Sequence, residues 1–417
     1  MPIERIETVV TGGGQAGLTM SHCLTQRGMA HVVLERHRVG ERWRSERWDS
    51  LRFQFPNWSR RLPDFPYIGE DPDSFAPRDD VVRFIESYAD FIHAPVRTGV
   101  NVRALCRTRT SDRLLLHTDT TTIEADNVVI ATGPYQKPMI PPAADGIEGV
   151  FQISASAYRN PAQPPPGGVL VVGAGASGCQ IAEDLMQAGR TVFLSVGPHR
   201  RVPRRYRGKD IIWWIAELGL DDRVADENAS RQAPLLISGA NGGHTIDLRA
   251  YAASGMTLLG RVVGARNGTV SFASDLAASL AGGDESYANF IRTADSHAAA
   301  TGLALPSSCH RDDRLPEPRS DIKMLDLRAS GISTVIWATG YRYDFDWIDL
   351  DVFARTDAAS ARNPVHRRGV TQVPGAYFLG LPMLHKTKSS FLSGVGEDAA
   401  YLADHIAARH ATGRADN

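Results

Sequence analysis

The sequence predicts an α/β fold of two doubly wound units, the second inserted into the first. Three observations carry this. Val9–Gly28, "VVTGGGQAGLTMSHCLTQRG", and Val169–Gly189, "VLVVGAGASGCQIAEDLMQAG", each read as an apolar strand, a G-x-G-x-x-G turn and an amphipathic helix. Two more buried-looking strands run into A-T-G, in Asn127–Tyr135 and Thr334–Arg342. Proline-rich connectors, "QKPMIPP" and "NPAQPPPGG", lie between the copies.

Thr8–Thr11 is the expected first strand. Gly12 permits a tight turn, Gly14 lets a pyrophosphate approach the backbone, and Gly17 lets the helix pack closely on the strand. Ala16, Met20, Cys23 and Leu24 form the apolar stripe of the helix, and Gly28 ends it. Its N-terminus, beginning at Gln15, turns free N–H groups and a partial positive charge toward a phosphate. "HVVLER" supplies the next strand. Glu35 at its end, followed by Arg36, is placed to hold a ribose hydroxyl. A merely structural turn is the bland alternative. It does not account for strand, glycines, helix, strand and acid arriving together.

In the second copy Val169–Val172 is the strand, Gly173, Gly175 and Gly178 are the glycines, and Ser177 sits among them. Ile181, Leu185 and Ala188 make the helix stripe. The next strand, "TVFLS", ends at Ser195 with no acid, and "VGPHRRVPRRYRGK" follows. A carboxylate at that position would repel a 2′-phosphate, whereas Arg200 and Arg201 would clamp one. The expected cofactors are therefore FAD in the first cradle and NADPH in the second, with electrons passing from nicotinamide to flavin. A solvated basic loop is the competing reading of the arginines, and Arg204 to Lys209 read as surface residues. The expected organisation is a discontinuous FAD-binding domain over 1–160 and 335–417 and an inserted NADPH-binding domain over 165–334. Both are Rossmann-like dinucleotide-binding domains.

The whole-chain properties agree. The 417 residues carry a net charge of −1, with 42% hydrophobic and 22% charged residues, an ordinary globular composition that gives no reason to expect nucleic acid or an anionic membrane as partner. No apolar run approaches the roughly 18 residues that span a bilayer. The apolar stretch beginning at Thr8 starts too early for a signal peptide, so a cytoplasmic location is expected. Cys23, Cys106, Cys179 and Cys309 form no C-x-x-C, which argues against a redox dithiol or a zinc site. Cys23 and Cys179 read as small buried hydrophobes.

With these motifs in hand, the chain resembles the flavin-containing monooxygenases, in their short bacterial branch. The resemblance spans nearly the whole length. It rests on the paired glycine motifs, both A-T-G strands, "GERWRSERWDSLRFQFPNW", "FAPRDDVVRFIESYADF" and "PGAYFLGLPMLHKTKSSFLSGVGEDAAYLADHI". One departure stands out. The family pattern F-x-G-x-x-x-H-x-x-x-(Tyr/Trp) falls on "IEGVFQISASAYRNP", where Tyr158 matches, Ser154 replaces the histidine, and Glu148 and Val150 occupy the Phe and Gly positions. This leaves open how the two cofactors are coupled.

The resemblance implies FAD reduced by NADPH, uptake of O2 as a flavin C4a-(hydro)peroxide, and transfer of one oxygen atom to a small organic molecule. It implies Asn57, with Gln54 beside it, as an amide near the flavin; a turn residue after Pro56 is the alternative. It implies that Trp43 and Trp48 pack on FAD, that the Val102 backbone meets the adenine, and that Thr132 of the first A-T-G contacts the cofactor. Gly394 and Gly396 would lead a C-terminal helix toward the flavin. His385 would be a polar contact or proton donor, with a surface histidine as the plain alternative.

Between residues 207 and 318 only "DIIWWIAELGL" reads as a helix. "ANGGHTIDLRAYAASG" and "GARNGTVSF" read as loops and short strands. The tail "HATGRADN" reads as frayed, and the histidines, His310 included, lack metal-ligand spacing. An NADPH oxidase releasing H2O2 and a flavin-binding sensor stand as alternatives to the monooxygenase, whereas a disulfide reductase lacks its dithiol. A homodimer is compatible with everything above. The substrate is not legible.

Overall fold

The first apolar run forms β1 (Ile3–Thr11), longer than expected because its leading half pairs with Thr122–Ala125. The computed structural model describes residues 3–108, 112–224, 233–307, 315, 318, 322–354 and 362–415. After β1 come α1 (Gln15–Gln26), β2 (His31–Glu35), α2 (Arg78–Phe91), β3 (Val96–Thr98), β4 (Val102–Arg107), β5 (Leu114–Thr118) and β6 (Thr122–Ile130). β1 lies parallel between β2 and β6, with Val9 opposite both Val32 and Val128. Thr8 to Thr11 are all buried, as expected of a parallel strand covered on both faces. β4 and β5 form an antiparallel hairpin on the first half of β6.

The second unit contains β7 (Phe151–Ser154), β8 (Gly168–Val172), α3 (Ala176–Gln187), β9 (Val192–Ser195), α4 (Ile211–Glu217), α5 (Leu248–Ala253), β10 (Thr257–Leu259), α6 (Leu276–Thr301) and β11 (Ile332–Trp337). Its sheet runs β7-β11-β8-β9-β10 and is parallel throughout. Phe151–Ser154, expected with the first unit, joins this second sheet beside β11. The chain then returns to the first sheet. β12 (Ile348–Asp349) pairs with β4, and β13 (Ala376–Phe378) pairs with the second half of β6. α7 (Val395–Ala415) packs on α1, with Arg27 ion-paired to Asp404 at 2.7 Å. Residues 410–415 of the tail expected to fray continue α7.

The middle of the second unit departs most from expectation. Residues 248–253, read as part of loops and short strands, are helical because the Asp247 carboxylate accepts from the Arg249 N–H and caps the first turn. The 26-residue α6 was not expected at all. Its buried positions are Leu276, Ser279, Leu280, Gly283, Phe290, Ala294 and Ala298, so many of them small that no apolar stripe stands out. "GARNGTVSF" does form a hairpin, with Asn267 and Gly268 both at left-handed φ, as the N-G turn requires. Cys309 and His310 lie outside the described residues.

Helix–sheet packing in the second unit depends on Gly178. A Cβ there would collide with the Gly173 carbonyl oxygen and sit 3.1 Å from the Ala338 Cβ. Gly178→Ala should therefore cost about 1–3 kcal/mol through overpacking. Gly282→Ala, with open space around it in the middle of α6, should stabilise by about 0.5–1 kcal/mol. Urea unfolding of both variants beside the parent measures the contrast.

Candidate functional site

The two glycine turns have matching geometry. Gly12 has φ +110° and Gly173 φ +107°, the left-handed side that glycine tolerates. A Cβ on Gly12 would lie 2.6 Å from the Ala131 carbonyl oxygen, and one on Gly173 would lie 2.6 Å from that of Ala338. Each A-T-G strand end is thus the wall against which its cradle turns. Gly17 and Gly178 press on the carbonyls of Gly12 and Gly173. The middle glycines differ: nothing lies within 4 Å of a Cβ on Gly14, and only Pro234, at 3.9 Å, approaches Gly175.

Those open middle glycines face one cavity of about 820 Å³, lined by both cradles. The first contributes Gly12, Gly14 and Gln15, the second Gly175, Ser177 and Gly178. Neither α1 nor α3 has a side-chain cap or an acid in its first turn, so their N-terminal N–H groups are left for a phosphate. The residues fit the two dinucleotides on this ground: space and donors are present where the phosphates must come, and the other glycines are filled by backbone.

Charge distinguishes the two ends. Glu35 lines the cavity, its carboxylate accepting from the Gly13 N–H at 2.7 Å and the His37 N–H at 2.8 Å. Arg36, Trp43, Val102 and Thr132 line it too. The Thr132 hydroxyl accepts from the Gln136 amide at 2.9 Å, and Gln136 in turn accepts from the Asp344 N–H at 2.6 Å, tying the first A-T-G to the segment after the second. At the corresponding end of β9, Ser195 is buried and does not reach the cavity; its hydroxyl donates to the Gly260 carbonyl at 2.9 Å.

Several expected residues lie elsewhere. Arg201 is committed to Asp247 at 2.6 Å and Asp284 at 3.0 Å and does not line the cavity. Arg200 does not line it either. Its backbone N–H is bonded to the carbonyl of Pro234, which borders Gly175, and its Nε donates to Ala233. Arg200 is thus the arginine beside the second cradle, and burial pulls its pKa down. Arg204, expected at the surface, is 2% exposed and paired with Asp210.

Asn57 is buried away from the cavity, its amide donating to the Asp71 carbonyl at 2.8 Å, because Pro56 starts a 3₁₀ turn there. Its neighbour Gln54 faces the cavity instead. Gly394 and Gly396 also miss it, packing on Lys388 and Pro63. The first turn of α7 is occupied by its own Glu397 and Asp398. His385 lies off the wall as well, its backbone N–H donating to the Ser389 hydroxyl.

Sequence reasoning did not single out Phe53, Phe55 and Phe391 as one wall. They form an aromatic run with Trp43: Trp43–Phe53 5.8 Å, Phe53–Phe55 5.5 Å and Phe55–Phe391 5.2 Å between ring centres. The Gln15 amide donates to the Ser390 carbonyl at 2.6 Å and holds the last of these against the first cradle. The alternation F-Q-F was the available signal. Its partner from residues 390–392 was too distant in sequence to see.

The described cysteines offer no thiolate. Burial pushes the Cys23 thiol up to about 11 and raises that of Cys179 further. Among the described residues no group of histidine, cysteine and carboxylate could hold a metal, and no helix is long and apolar enough to cross a membrane.

Three substitutions separate ligand binding from folding. Gly14→Val meets open space at an ordinary extended φ, so the protein should fold and unfold like the parent apoprotein yet purify colourless. Retained yellow colour would contradict the role of the first cradle. Arg200→Ala should raise the KM for NADPH roughly tenfold or more while leaving NADH little affected, the scale of one lost charged hydrogen bond. Arg201→Ala should instead lower the melting temperature, because it leaves Asp247 and Asp284 short of a partner. Steady-state kinetics with both coenzymes and thermal melts read this out.

Comparison with known proteins agrees with this geometry. Residues 9–215 match the pyridine nucleotide-disulphide oxidoreductase family model. A CzcO-like oxidoreductase of Geobacillus kaustophilus is 31% identical over 96% of this chain and 98% of its own length. The probable indole-3-pyruvate monooxygenase YUCCA1 of Arabidopsis thaliana is 31% identical over 45% of this chain and 46% of its own. A flavin-containing monooxygenase of Stenotrophomonas maltophilia shares the fold, with a TM-score of 0.67 at 17% identity over 97% of this chain and 99% of that one. With cradles, charge pattern and a full-length relative in agreement, this chain belongs with the CzcO-like bacterial oxidoreductases, shares the fold of the flavin-containing monooxygenases, and is a flavin-dependent oxidoreductase whose two cradles fit FAD and NADPH.

Proposed function

We propose that the protein transfers one oxygen atom of O2 to a small organic molecule at the expense of NADPH. One observation carries this reading: a single cavity, walled by aromatic side chains, is shared by both cradles. Such a cavity brings a hydride donor and a flavin to one substrate space. When bound, the flavin supplies the electron transfer and the activation of O2.

The chain's own residues bind, orient and exclude water. The first turn of α1 and Gly14 hold one pyrophosphate, and Glu35 takes ribose hydroxyls as acceptor. Gly175 and the first turn of α3 hold the other, with Arg200 beside it for the 2′-phosphate. Trp43, Phe53, Phe55 and Phe391 keep bulk water from the reacting atoms. Gln54 offers that space a side-chain amide, able both to donate and to accept. No cysteine pair is required, in keeping with the buried Cys23 and Cys179. We also propose the division of the chain into an FAD-binding part built from both ends and an inserted NADPH-binding part.

The test is ¹⁸O2 consumption by the FAD-loaded protein with NADPH and a panel of amines, sulfides and ketones. The expected result is ¹⁸O in one product class, with NADPH consumed in proportion. NADPH oxidation matched entirely by H2O2 across the panel would make the protein an oxidase; no flavin reduction by NADPH would leave it a flavin-binding sensor.

A further inference from the structure

We propose that Arg204 is a positioning residue that holds Phe53–Phe55 in place on the cavity wall from the second unit. The inference rests on the functional reading only for its catalytic consequence. Arg204 is 2% exposed, on the short basic segment after β9. Its guanidinium forks onto Asp210, Nε to Oδ2 at 3.0 Å and Nη2 to Oδ1 at 3.1 Å. The remaining nitrogen, Nη1, donates to the Gln54 carbonyl at 2.7 Å, 150 residues away in sequence. The planar group also stacks 4.4 Å above the Phe75 ring.

The partners fix the guanidinium from both sides. Asp210 is the N-cap of α4, its carboxylate accepting from the Ile212 N–H at 2.9 Å. α4 buries Trp214 in a cluster against which Phe55 packs. On the other side, the Phe53 N–H donates to the Ala76 carbonyl at 2.7 Å, and Gly239 presses on the Phe53 carbonyl, where a Cβ could not fit. The F-Q-F backbone therefore receives contacts from the second unit at two consecutive carbonyls. Only a guanidinium can serve a carboxylate with two nitrogens and a carbonyl with a third; a lysine carries its donors on one nitrogen and cannot reproduce this planar fork. Gln54 and both phenylalanines face the cavity, so a shift of this backbone moves the wall between the two cradles.

The experiment compares Arg204→Lys and the double variant Arg204→Met with Asp210→Asn against the parent, all FAD-loaded. The double variant removes both buried charges together and keeps an N-cap for α4, which avoids an uncompensated carboxylate. Hydrogen exchange of the peptide covering residues 51–58 should quicken by about tenfold in both variants, the scale of one lost hydrogen bond. Exchange in β8 should stay as in the parent. With NADPH and O2, a larger share of the NADPH should end as H2O2, while the KM for NADPH changes little. Parent-like exchange at 51–58 in either variant overturns the proposal. A parent enzyme that fails to oxidise NADPH would sink the functional reading and leave the exchange result to stand by itself.

Discussion

The structure depends on one close approach made twice, a glycine turn pressed against the carbonyl at the end of an A-T-G strand. Ala131 meets Gly12 in the first unit and Ala338 meets Gly173 in the second, at the same separation and nearly the same φ. No side chain fits between these backbones. The helix that follows is thereby docked with its N-terminus at the carboxyl ends of the parallel strands, and its first-turn N–H groups point outward without caps. The third glycine of each motif completes the docking, and the middle one is left free. The fingerprint therefore divides into two glycines required by protein packing and one left open for a ligand.

From that constraint the placement of the cavity follows. Each unit opens at the carboxyl end of its sheet, the usual crevice of doubly wound folds. Here the two crevices meet. Contacts that cross between distant parts of the chain close the space: Gln15 to Ser390, Gln136 to Asp344, and Arg204 to Gln54. The two ends differ in charge. Glu35 presents a carboxylate to the cavity, while Ser195 is neutral and turned into its own sheet.

The buried polar groups of the second unit show why a basic run is not one feature. Arg200, Arg201 and Arg204 lie within five residues of one another, yet one borders the second cradle, one is caged by Asp247 and Asp284, and one pins the cavity wall. Burying a guanidinium is costly unless carboxylates or carbonyls meet it, so each position was determined by the partners available around it. Those partners come from residues 247, 284, 210 and 54, none of them adjacent in the chain.

Local physics determined much of this protein in advance. Strand runs, glycine spacing, helix stripes and the acid after β2 each depend on neighbours a few residues apart. The two glycine turns, their flanking strands and helices, and the α/β class were therefore legible from the amino-acid order. The long α6 was not, because its buried face is built from small residues that carry little hydrophobic signal. The aromatic wall, the inward turn of Gln54 rather than Asn57, and the separate fates of the arginines were decided by tertiary structure alone. Most of these arise where segments from tens to hundreds of residues apart meet, and the direction of a side chain there is set by the carbonyl, ring or carboxylate that another segment brings to it.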